Sequence, residues 1–153
     1  MPIHCEIITQ ERKLYSEDVD IVIAPAAEGQ MGILPQHAPM VVALTFGELR
    51  VRKGENEEYF AIGGGVMEVR PDKVIVLADR AERADQIDVD RAEQARRQAE
   101  QTMREGLPVD SAERAALEAA IRRNIVRMKV ARRRAARRGT GPGALGFRDG
   151  EGS

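Results

Sequence analysis

Apolar and polar residues alternate along the first half of the chain and recur at steps of three and four along the second. Ile3–Ile8 is a short β-rich run with polar residues on both sides. Val19–Pro25, VDIVIAP, alternates and stops at a proline. Met40–Gly54, MVVALTFGELRVRKG, reads as two runs broken near Phe46-Gly47, which predicts a hairpin there. Glu57–Ala78, EEYFAIGGGVMEVRPDKVIVLA, reads as three more runs, with a tight turn at Pro71-Asp72-Lys73. Short strands with turn signals about every 8–12 residues predict an antiparallel sandwich or barrel ending near residue 85.

The period then changes. Val89, Ala92, Ala95, Ala99 and Met103 form one apolar stripe of a helix that Gly106 ends and Pro108 keeps from continuing. Asp110, with Glu113 three residues on, is a capping-box start for a second helix carrying Leu117, Ile121, Ile125 and Met128. The short connection predicts an antiparallel hairpin. Its facing residues are largely Ala, which bury little area at ~0.8 kcal/mol per CH₂, so the hairpin is expected to detach or open. The fold class is thus α+β: an N-terminal antiparallel β-sandwich or barrel over residues 1–85, a two-helix hairpin over 86–138, and a flexible Gly-rich tail over 139–153.

Charge sharpens this division. The 153 residues carry a net charge of −1, but residues 1–85 hold 9 basic and 15 acidic side chains, and residues 86–153 hold 15 and 10. The run Arg122–Arg138 has nine Lys/Arg and no acid. Self-repulsion would loosen such a helix, so an acidic partner is expected, either nucleic-acid phosphate or an acidic protein surface. No aromatic interleaves the run, which argues against stacking on single strands. The N-terminus lacks a secretory pattern, and no apolar window approaches a membrane span. One cysteine, Cys5, excludes an intrachain disulfide. With His4 and His37 it makes too sparse a ligand set to favour a metal, and buried or satisfied side chains are the better reading.

Three stretches invite a chemical reading. Gly63–Gly65 is followed by the strand-like VMEV rather than a helix, so a bulge or close backbone approach is favoured over a phosphate loop. Ile87–Ala92, IDVDRA, places Asp88 as a helix cap and Arg91 against the helix dipole. Arg91 either pairs locally with Asp88 or helps hold an anion such as a nucleotide phosphate; Arg123 and Arg127, four apart, would converge on the same ligand. Glu28–Pro39, EGQMGILPQHAP, leaves Met31, Ile33 and Leu34 too exposed for a plain turn, and reads as a corner, a ligand loop or a docking surface. No nucleophile, base and orienting group stand together as in a hydrolase, so the isolated chain is not expected to be an enzyme.

EGQMGILPQHAP, GGGVMEV, VIVLAD and IDVDRA, followed by two helices, resemble the epsilon subunits of bacterial F-type ATP synthases over roughly residues 2–135. The resemblance implies a non-catalytic rotor subunit in the central stalk, peripheral on the cytoplasmic face of the bacterial plasma membrane and held there through the complex. Its implied partners are the gamma subunit and the c-ring, met through Gln30, Met31 and His37, and the alpha and beta subunits. Many members carry an acid where this chain has Gln30. The helices of such subunits inhibit ATP hydrolysis, which assigns Arg122, Arg123, Arg127, Arg132, Arg133 and Arg134 to contact with the catalytic head. Some members bind ATP, as a regulatory ligand rather than a required cofactor, through an I/L-D-x-x-R-A motif. Ile87, Asp88, Arg91 and Ala92 match it, and Glu82 matches a further acid. Arg123 and Arg127 match a second-helix pair after a shift of one residue. Gln98, with Arg96 and Arg97 nearby, stands where those members have another arginine. The alternatives are an Arg-rich nucleic-acid-binding adaptor and a free-standing ATP sensor.

Overall fold

A computed structural model describes residues 1–106 and 110–139, the last five as backbone. The expectations for Pro108 and for the tail beyond Gly139 lie outside these residues. Eight strands come first: β1 (Ile3–Ile8), β2 (Lys13–Val19), β3 (Ile21–Ala26), β4 (Gly29–Ile33), β5 (Met40–Lys53), β6 (Asn56–Val69), β7 (Lys73–Ala78) and β8 (Ala81–Arg83). A 3₁₀ turn at Ala84–Gln86 leads into α1 (Val89–Arg104) and α2 (Ser111–Gly139). The sheet order is β2-β1-β7-β6-β5-β3-β4, with β8 on β6. The sheet folds over one core, shared by Ile3, Cys5 and Ile7 near one end and Val22, Ile33 and Leu49 near the other.

Pairing is antiparallel except for β1 on β7, which is parallel. The hairpin expected at Phe46-Gly47 is absent. β5 runs straight through these residues and turns at Gly54, pairing Lys53 with Asn56. Gly47 is small for another reason: a Cβ there would lie 2.5 Å from Pro25 Cβ on β3. Likewise, Glu57–Ala78 holds two strands rather than three, because β6 passes through Gly63–Gly65 without changing register against β5. The close approach is real: Gly64 and Gly65 have φ of 92° and 136°, and a Cβ on Gly65 would meet Leu77 O at 2.2 Å. β2 escaped the sequence reading, since Ser16, Glu17 and Asp18 hide its alternation.

β6 explains how the hairpin sits. Phe60 and Ile62 point into the core, while Tyr59 and Ala61 point the other way. A strand apolar on both faces needs covers on both faces. The second cover is α2, whose Val130 packs with Tyr59, Ala61, Ala84 and Ile87. Among the described residues that interface buries five apolar residues against nineteen in the main core, so it is the weaker seam. α1 starts as expected, with Asp88 accepting the Arg91 amide at 3.1 Å, and Asp110 accepts that of Glu113 at 2.9 Å. Ile125, expected on the apolar stripe of α2, is instead 48% exposed.

His4 is satisfied, bonding Asp18 Oδ1 at 2.8 Å and Ser16 Oγ at 3.1 Å. Burial, with Glu6 beside it, pushes the Cys5 thiol up to about 12. The thiolate is thus disfavoured in the fold, and Cys5 contributes stability that is lost as pH rises from the ordinary thiol value of ~8.5 towards about 12. Native protein at pH 8 should therefore resist a thiol-specific disulfide reagent that reacts fully once urea unfolds the chain. Rapid native labelling would contradict the burial.

Candidate anion site and docking surfaces

Between the sandwich and the hairpin lies a cavity of about 360 Å³ lined by Arg80, Glu82, Arg91, Ala95, Arg123, Asn124 and Arg127. Three parts of the fold build it. The β7–β8 connection and β8 supply Arg80 and Glu82, the first turn of α1 supplies Arg91, and α2 supplies Arg123, Asn124 and Arg127. Glu82 and Arg127 form a two-pronged pair, with Nε 2.6 Å from Oε1 and Nη2 3.1 Å from Oε2. The Nε contact is an ion pair rather than an aligned hydrogen bond. Arg127 Nη1 also donates to Asn124 Oδ1 at 3.0 Å, and Asn124 Nδ2 donates to Ala120 O at 2.8 Å. Asn124, only 3% exposed, thereby aims Arg127 across the cavity.

Glu82 is the cavity's one carboxylate, and Arg127 holds it. Arg80, Arg91 and Arg123 have no carboxylate within ion-pair distance among the described residues. Burial, then the charges of Arg80 and Arg127, hold the Arg123 guanidinium below its ordinary value. Clustered cations short of counter-charge repel one another until an anion enters.

Of the residues taken from the ATP motif, Glu82, Arg91, Arg123 and Arg127 line the cavity. Ile87 and Ala92 are buried supports, and Asp88 is the α1 cap. Asp88 bonds the Arg91 amide, which leaves the guanidinium free of the local pair weighed from sequence. Arg96 and Arg97 pair with Glu93 and Glu100 along α1, and neither they nor Gln98 line the cavity. Sequence reasoning missed Arg80, Ala95 and Asn124, which no motif spacing connects.

EGQMGILPQHAP is partly strand. Gln30 and Met31 lie on β4 at the sheet edge, and His37 follows in a loop with Nδ1 2.8 Å from Ala38 O. Ile33, expected to be exposed, is fully buried in the core, whereas Leu34 is 57% exposed. Met31 joins Ala26, Met40, Val41 and Val42 around an apolar groove of about 290 Å³. Beside it, Val41, Val66 and Leu77 are 71%, 42% and 50% exposed, with Val66 directly across from Leu77. An apolar sheet face left open in this way marks an interaction surface.

The basic run lies along the sandwich. Arg122 stacks over Phe46 at 5.4 Å and Arg133 over Tyr59 at 5.6 Å. Arg133 Nε reaches Glu48 Oε2 at 3.4 Å and Arg134 reaches Asp85 at 3.8 Å. Arg132 is exposed beside Ile125 and Lys129. Much of the run's charge thus meets acids and rings of its own chain.

Comparison with known proteins fits both halves. Residues 2–84 match the family model described as ATP synthase, Delta/Epsilon chain, beta-sandwich domain, and residues 85–132 match the corresponding long alpha-helix domain. The chain is 52% identical over 134 residues to the ATP synthase epsilon chain of Herpetosiphon aurantiacus, covering 88% of this chain and 97% of that one. It is 49% identical over 129 residues to that of Dehalococcoides mccartyi, covering 84% and 91%. Among solved structures, a chain of the Euglena gracilis mitochondrial ATP synthase (OSCP/F1/c-ring, rotational state 1) superposes with a TM-score of 0.69 at 25% identity, covering 79% of this chain and 76% of that one. A Tetrahymena thermophila chain shares the fold at a TM-score of 0.62 and 13% identity, covering 86% and 97%. None of these matches supports the nucleic-acid adaptor. The sandwich, the helices behind it and relatives half identical over nearly their whole length make this chain a member of the ATP synthase delta/epsilon family, on its epsilon side.

Proposed function

We propose that the chain is a non-catalytic subunit of the synthase central stalk whose hairpin switches between a docked, anion-holding state and a released, inhibitory one. The sandwich would meet the gamma subunit and the c-ring through the Met31 groove and the Val41–Val66–Leu77 face, with Gln30 and His37 at the edge of that contact. Attachment to the cytoplasmic face of the bacterial plasma membrane would come through the complex. Among the described residues no helix is long and apolar enough to cross a membrane.

The observation that carries the regulatory part is the cluster of Arg80, Arg91 and Arg123, three cations with no carboxylate partner among the described residues, in a cavity built jointly by the sandwich, α1 and α2. An anion bound there favours the docked state by its higher affinity for it. ATP supplies such an anion, and at about a hundred times its dissociation constant would add ~2.7 kcal/mol to docking. On release, Arg122, Arg127, Arg133 and Arg134 would lose their partners on the sandwich and its exit turn, and Arg123 and Arg132 would be uncovered with them. They then present a basic face to acidic segments of the alpha and beta subunits. The apolar seam that holds the hairpin down is small, and new acidic partners on the alpha and beta subunits would replace the ion pairs it gives up.

The test is ATP hydrolysis by an epsilon-free catalytic head. The full chain should slow it severalfold, and a version ending at Gln86 should bind without slowing it. Equal inhibition by both versions would remove the hairpin from the mechanism. Failure of both to bind would remove the stalk assignment.

A further inference from the structure

Arg80 belongs to none of the motifs that drew attention to the cavity, yet the fold places it at the rim. It stands where β7 breaks off and β8 begins, opposite Gly63. Gly63 N–H donates to Arg80 O at 2.8 Å, and a Cβ on Gly63 would lie 3.1 Å from Arg80 Cβ. The backbone of Arg80 is therefore fixed by the sandwich, independently of the hairpin. Its side chain is exposed, ion-pairs with no carboxylate among the described residues, and lines the cavity beside Arg91, Arg123 and Arg127. The charge of Arg80 also depresses Arg123, so the two cations act on one another.

We propose that Arg80 is a direct ligand for the phosphate chain of an anion bound in this cavity, so that the anion ties the sandwich to both helices at once. The proposal rests on reading the cavity as an anion site and adds the sandwich's own contribution to it. Arg91 and Arg123 travel with the hairpin, and they can clamp a ligand without holding the hairpin down. Arg80 changes that, because an anion touching all three must be released before the hairpin lifts. Glu82 cannot serve in this way, since a carboxylate repels phosphate and is already held by Arg127.

The experiment uses the full chain, with calorimetric titration and thermal melting against ATP, inorganic tripolyphosphate and adenosine. The variants are Arg80→Gln and, as a control for lost charge, Arg104→Gln, whose side chain is 78% exposed on α1. Arg80→Gln should weaken ATP and tripolyphosphate alike by about tenfold, the usual effect of one charge-assisted hydrogen bond. Arg104→Gln should change either by less than about twofold. Without ligand, Arg80→Gln should melt at or above the parent temperature, because a like charge has been removed, while its ligand-induced rise shrinks. A purely structural Arg80 would instead lower the unliganded melt and leave affinity intact, which overturns the proposal. So does weakening no greater than in Arg104→Gln, or weakening confined to ATP, since the contact would not then be to phosphate. If the parent chain binds neither ATP nor tripolyphosphate, the anion site itself fails and Arg80 falls with it.

Discussion

Gly65→Val should lower the melting temperature by at least about 10 °C. Gly65 holds φ at 136°, a backbone region that side-chain-bearing residues avoid at a cost of ~1–3 kcal/mol. Its missing Cβ is also the space that Leu77 O occupies, 2.2 Å from where a Cβ would stand, with Ala78 Cα at 2.9 Å. Both are backbone atoms of β7, so no side-chain rotation relieves the clash. Moving β7 away costs about 1–3 kcal/mol of strain and about one ladder hydrogen bond. The total of about 3–7 kcal/mol is a large part of the ~5–15 kcal/mol that holds a domain together. Gly54→Ala is the control. Gly54 also has positive φ, at 60°, but nothing lies within 4 Å of its Cβ position, so that change should cost only ~1 kcal/mol. Equal melting of the two variants would refute the steric argument.

Val130→Asp should release the hairpin and leave the sandwich folded. Val130 is fully buried, and its cluster shares no buried residue with the main core. Replacing it forfeits ~1.5–3 kcal/mol of burial, and an uncompensated carboxylate there costs several kcal/mol more. The remaining cover from α2 is small: only the half-buried Val126 and Ala131 still pack on Tyr59, Ala61, Ala84 and Ile87 among the described residues. Amide exchange should show α2 losing protection while the β1, β6 and β7 amides keep theirs. ATP should no longer raise the melting temperature, and hydrolysis by the epsilon-free head should be inhibited even at saturating ATP. A variant that still binds ATP with parental affinity would show that the cavity does not depend on docking.

The two-part architecture was legible because a period of two gives way to one near 3.6 at Ile87, and because Asp88 and Asp110 announce helix starts. The strand breaks were misread where glycine serves contact rather than turning. Phe46-Gly47 looks like a turn, but Gly47 answers Pro25 on a neighbouring strand, which sequence spacing does not reveal. Ile125 was misassigned for a geometric reason. Leu117, Ile121 and Ile125 step by four, and each such step drifts about 40° around a helix of 3.6 residues per turn. By Ile125 the drift has carried the series off the packed face, where Asn124 and Met128 stand instead. Four of the seven residues lining the anion site, Glu82, Arg91, Arg123 and Arg127, were legible in the sequence. Arg80 was not, because only the corner opposite Gly63 brings it there. The Val41, Val66 and Leu77 face was equally hidden, since three strands must align before it becomes one surface.

The β5–β6 pair has a mechanical meaning. One register runs from Met40–Val69 at the open apolar face to Lys53–Asn56 beyond the hairpin's seat, interrupted only where Thr45 faces Gly64. The open apolar face and the platform under α2 are therefore carried on the same two strands. A load applied at one end would pass along covalent backbone and a ladder of rungs loaded in shear, rather than through side chains that can slip. The sandwich is then stiff where a drive shaft must be stiff, and compliance is left to the lightly held hairpin.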